Sequence, residues 1–170
     1  EVDDVRADEE AGTLTVYAPT AKIRHRGDTL NRPMLTTTYS SPAPGVIRVR
    51  VEHHQGAVRR GPAFQVTGEP GFRPEVEVHD DVAVLRSKDL AVRVHRGDRW
   101  RVDFEADGEV LTSSLPKSVG HVTSDDGGTW THEQLALEPG ELVYGLGERF
   151  GPFVKNGQVV DIWNEDGGTS

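Results

Sequence analysis

The chain has 170 residues, no cysteine, and a net charge of -9 from 28 acidic and 19 basic residues. That length suffices for one sizeable core. The missing thiols exclude disulfides, thiolate metal centres and a cysteine nucleophile, and the acidic balance disfavours nucleic acid, which needs a concentrated cationic surface.

Residues 1–10 hold six acids against one arginine, which predicts a solvated or frayed end ahead of a domain over 11–170. Leu14, Val16 and Ala18 alternate with Thr13, Thr15 and Tyr17 as in a half-buried strand that Pro19 closes. Ala21 to Arg26 reads as extended, and Gly27-Asp28 turns the chain into a strand within Leu30 to Ser40. The cluster Ser40 to Gly45, with Pro42 and Pro44, is a loop, and Val46 to His53 is a strand of clean alternation. Residues 56–71 read as loop, with a short strand at Ala63 to Val66.

From Glu75 onward the pattern is a run of hairpins. Val76 and Val78 pair with Val82 to Leu85; Leu90, Val92 and Val94 alternate with Ala91, Arg93 and His95; Trp100, Val102 and Phe104 alternate with Arg101, Asp103 and Glu105. Asp107-Gly108 is a two-residue hairpin signal into Val110 and Leu111. Ser124 to Gly128 is a further turn before Thr129 to Leu137, and Leu142 to Tyr144 is the last expected strand. Many short strands, frequent turns and no long helical period predict an all-β fold, a large antiparallel β-sandwich.

The bases of residues 21–60 alternate with apolar neighbours, Arg48 and Arg50 with Ile47, Val49 and Val51, so they belong to wet strand faces rather than to a nucleic-acid surface. His53 and His54 are adjacent in a strand and point to opposite sides, and the other histidines lack paired spacing, so no metal is expected. Gly145, Gly147 and Gly151 have the wrong spacing for a dinucleotide loop, and no cofactor is expected. No apolar run reaches the roughly 20 residues that cross a bilayer, and no basic-then-apolar leader opens the chain. A cytoplasmic protein without membrane contact is the expectation.

The most chemically pointed stretch is the C-terminal one, Leu142 to Ser170. A glycine-spaced turn leads to Trp163, Asn164, Glu165 and Asp166, just ahead of Gly167 and Gly168. An aromatic plate beside an amide and carboxylates suits a sugar, whose ring offers an apolar C–H side and whose hydroxyls need acceptors. Glycosidase chemistry needs two carboxyl groups about 5 to 9 Å apart across one bond. Glu165 and Asp166 are neighbours without the rest of such a site, so no catalytic residue is assigned.

The run Val143-Tyr144-Gly145-Leu146-Gly147-Glu148-Arg149-Phe150, then Asn156-Gly157-Gln158 and Trp163 to Thr169, resembles the end of the N-terminal β-domain of glycoside hydrolase family 31, above all its bacterial α-xylosidase branch. Tyr17-Ala18-Pro19, Arg26 to Asn31 and the segment from Ser41-Pro42 to Val49-Arg50-Val51-Glu52-His53 are similar to the same branch in the same order. The resemblance implies a galactose-mutarotase-like sandwich that packs on a catalytic (β/α)₈ barrel. Such a barrel takes about 250 residues and is absent from this chain. It also implies an α-linked xyloside or glucoside oligosaccharide as substrate, and a homo-oligomer as a further expectation. Asp166 matches the loop aspartate that contacts the sugar beyond the cleaved bond, and Trp163 and Asn164 belong to the same loop. Glu165 departs from the family pattern, which carries a basic residue there, and so bears on which leaving sugar is preferred. The competing reading is a stand-alone carbohydrate-binding or aldose-epimerase-like sandwich, the latter needing a histidine and a glutamate as acid and base.

Overall fold

The computed structural model describes residues 1–30, 32–53, 67–69, 71–147 and 150–162. The chain divides into two compact units, Glu1–Ala136 and Leu137–Ser170.

In the first unit the order is β1 (Asp4–Asp8), β2 (Thr13–Pro19), a 3-10 turn (Arg26–Thr29), β3 (Met34–Ser40), β4 (Arg48–Glu52), β5 (Glu75–Val78), β6 (Val82–Ser87), β7 (Leu90–His95), β8 (Val102–Ala106), β9 (Glu109–Ser114), β10 (Val119–Thr123) and β11 (Thr129–Glu133). Strands β1 to β4 form one antiparallel sheet in chain order, β5 to β9 a second, and β10 and β11 a hairpin. Alternation decides which side chains enter the core. Leu14, Val16 and Ala18 of β2 and Tyr39 of β3 meet Ala83 and Leu85 of β6, Val92 and Val94 of β7, and Val102 of β8. The two sheets therefore share one apolar layer, which is the predicted sandwich. Each fully buried Val or Leu there contributes about 1.5–3 kcal/mol.

Two connections fix how the sheets meet. Ser87 Oγ, at the end of β6, lies 2.7 Å from Ser41 Oγ and accepts from the Gly45 N–H at 3.0 Å, so the proline-rich 40–45 loop is held to the second sheet. The turn between β1 and β2 ends at Gly12, whose φ is 63°, with buried Pro74 against it just before β5. The Asp107-Gly108 loop has φ of 52° and 83°, the left-handed pair that a tight β8–β9 hairpin needs.

Two expectations are corrected. The acidic first ten residues, expected to fray, contain β1: Val5 enters the core, the backbone pairs with β2 from Asp4↔Tyr17 to Asp8↔Thr13, and Arg6 bonds to Asp4 at 2.8 Å and lies over the Tyr17 ring. A buried valine and a full ladder outweigh the repulsion among exposed acids. Leu142 to Tyr144, expected as a strand, is irregular. The short strand expected at Ala63 to Val66 lies outside the described residues.

Candidate functional site

Within the second unit, residues 142–162 are organised by one amide. The Asn156 side chain accepts from the Val143 N–H at 2.8 Å and donates to the Glu141 carbonyl at 2.9 Å, and the Lys155 N–H donates to the Val143 carbonyl at 2.8 Å. A side-chain clamp therefore takes the donor and acceptor that a strand partner would have used, which is why no strand forms there. The next turn folds on itself: Lys155 Nζ donates to the Pro152 carbonyl at 2.7 Å and Gln158 Nε2 to that of Val154 at 2.6 Å.

Gly145, Gly147 and Gly151 all have positive φ, at 128°, 68° and 138°, and the intervening Leu146 has 69°. Side chains resist that region, so the glycines allow the chain to curl around an opening. Tyr144 and Phe153 pack against each other beside it, with ring centroids 5.0 Å apart and planes tilted by 49°. Together with Lys155 they line a cavity of about 390 Å³ whose remaining wall is glycine backbone. Two aromatic rings, one ammonium and exposed amides offer an apolar surface with hydrogen-bond donors at its edge, a combination suited to a hydroxyl-rich ring. Trp163, Asn164 and Asp166, the residues singled out for sugar contact, lie outside the described residues. Sequence reasoning noted Asn156 only as part of a motif and missed the Tyr144–Phe153 pair; their shared aromatic character beside the glycines was the available signal.

Residues 36–170 match the glycosyl hydrolase 31 N-terminal galactose mutarotase-like domain. The chain belongs to this family. The alpha-xylosidase XylQ of Lactiplantibacillus pentosus is 42% identical over 166 residues, covering 96% of this chain and 21% of that protein. An alpha-xylosidase of Emericella nidulans is 36% identical over 177 residues, covering 86% of this chain and 21% of its own length. The family 31 domain thus spans about a fifth of the relatives it matches, and the resemblance read from its glycine-rich C-terminal run is borne out.

Elsewhere in this family 31 domain, Asp103 and Glu105 gather side-chain partners on the second sheet, on the side away from the core. Asp103 of β8 is only 3% exposed and accepts from Ser113 Oγ at 2.6 Å and Arg101 Nε at 3.0 Å, with His95 Nε2 at 2.6 Å. Burial alone would raise its pKa, but the bonds from Ser113, Arg101 and His95 and the Arg101 charge outweigh it and hold the carboxyl below its ordinary range. Beside it, Glu105 takes the Arg93 guanidinium at 2.8 Å. These carboxylates are saturated by neighbours, which suits them to holding strands together rather than to acid–base exchange with a ligand. The His53 and His121 rings stack with centroids 3.8 Å apart. Among the described residues no group of three His, Cys, Asp or Glu side chains is placed to hold a metal ion, and no helix is long and apolar enough to cross a membrane.

Proposed function

We propose that this chain acts as the N-terminal sandwich of a retaining α-glycosidase that cleaves α-linked xylosides or glucosides. In this reading it packs on a catalytic barrel of the same polypeptide and lends the segment 142–170 to one side of the sugar pocket. The observation that carries the proposal is the 42% identity that runs along 96% of this chain yet fills 21% of an alpha-xylosidase. The nucleophile and the general acid then belong to the remaining four-fifths. The domain's share is to exclude water and select the leaving group.

The surface of the second unit supports this reading. Tyr144, Phe150, Phe153 and Ile162 are all more than half exposed, with Phe150 at 101% and Phe153 at 79%. Aromatic and aliphatic side chains so presented are what a partner surface covers. Trp163, Asn164 and Asp166 follow directly on this segment, and in this role Asp166 accepts a hydroxyl of the sugar beyond the scissile bond.

The test is Asp166→Ala in the polypeptide that includes the barrel. A hydrogen bond to a charged acceptor is worth about 1.5–3 kcal/mol, so kcat/KM on an α-linked disaccharide should fall by roughly 10- to 100-fold. An activated aryl α-xyloside, whose leaving group lacks that hydroxyl, should lose less than about threefold. Equal losses on the two substrates contradict the assignment.

A further inference from the structure

A second cavity, of about 300 Å³, opens where the ends of β2 and β3 meet the β7–β8 and β9–β10 connections, and its lining residues all belong to Glu1–Ala136. Its wall is built from the sandwich interior: Ala18, Leu35 and Trp100 are buried, and Trp100 is fixed by donating its indole N–H to Ser114 Oγ at 3.0 Å. Thr37 of β3 also lines it. Thr37 is 1% exposed, and its Oγ1 has no hydrogen-bond partner among the described residues. A buried hydroxyl left unmatched is unfavourable, and valine would fill the same β-branched strand position without that cost. A residue that lines a cavity and keeps a buried hydroxyl without a protein partner is a candidate to meet a polar group brought in from outside.

The mouth carries both signs of charge. Lys22 Nζ lies 3.6 Å from a carboxylate oxygen of Glu1 and 3.6 Å from one of Asp98, so its charge is shared, while Arg99 and Lys117 are exposed at the rim. Such a rim gives donors and acceptors together, which matches hydroxyl groups. The volume stands at the low end of the roughly 300–1,000 Å³ of small-molecule sites, room for a single ring.

We propose that this cavity binds one neutral polyhydroxylated ring of monosaccharide size, with its apolar side against Trp100 and Leu35, one hydroxyl bonded to Thr37 Oγ1, and the others at the Lys22–Asp98–Arg99 rim. The site stands on the sandwich alone and does not depend on the loop role of Asp166.

Titration of the 170-residue chain with D-xylose, D-glucose and cyclohexanol, followed by amide and indole NMR shifts, tests it. The expected result is saturable binding of a pyranose with shifts at Thr37, Trp100 and Asp98, and cyclohexanol at least about tenfold weaker because it offers one hydroxyl. Thr37→Val should weaken the pyranose about tenfold, whereas Thr37→Ser, which keeps the hydroxyl, should stay within about threefold. Three outcomes overturn the proposal: no saturable pyranose binding, shifts confined to residues 137–162, or cyclohexanol binding as well as the sugars. Unchanged affinity in Thr37→Val does the same.

Discussion

The Asp103 carboxylate receives three side-chain partners and almost no water, so it is held ionised. Because its folded pKa is depressed, the stability it contributes is present above the ordinary carboxylate pKa of 3.8 and is lost as pH falls through the folded value. Asp103→Asn should therefore unfold at lower denaturant concentration at neutral pH, by about 2–3 kcal/mol, with the gap to the parent chain closing on acidification. Urea titrations at several pH values check this, and a gap that stays constant down to strongly acid pH contradicts it.

At the scale of elements, the joint between the first hairpin and the second sheet rests on Gly12. A Cβ built there meets Pro74 Cδ at 2.6 Å, and the φ of 63° is one that L side chains resist. Gly12→Ala should cost about 1–3 kcal/mol, through backbone strain and crowding of Pro74 together, as read by thermal unfolding. A neutral substitution would mean that the joint yields. Strands β2, β6, β7 and β8 were legible in the sequence because alternate apolar residues of each enter the core, as Leu14, Val16 and Ala18 do from β2 and Val92 and Val94 from β7, and Asp107-Gly108 has the chemistry its hairpin needs. Strand β1 was hidden because only Val5 marks its buried side among acids. The Leu142–Tyr144 run looks like a strand, yet it is capped by a side chain thirteen residues on from Val143, a long-range bond that no local pattern encodes. Asp103 and Glu105 read as wet by alternation. They are covered because Arg93, His95, Arg101 and Ser113 converge on them from the same sheet face. For the candidate site, the glycines and aromatics were visible, while the clamp that arranges them was not.

For the whole molecule, the apolar core lies within Glu1–Ala136, so the sandwich should unfold cooperatively without residues 137–170. A 1–136 chain is expected to melt within about 5 °C of the 170-residue one, the shift that roughly 1 kcal/mol produces, and loss of a cooperative transition would contradict it. Function divides along a different line. Most glycosidases break the bond between two suitably spaced carboxyl groups, and this domain is read as bounding the pocket in which that happens. The chain belongs to the family and covers about a fifth of the relatives it matches, and the proposed function is a division of labour between domains. The most direct measurement is release of xylose from an α-xyloside, compared between purified Glu1–Ser170 and a polypeptide in which it is continuous with its barrel. The prediction is turnover by the longer polypeptide and none by Glu1–Ser170; turnover at enzymatic rates by the 170-residue chain alone would contradict it.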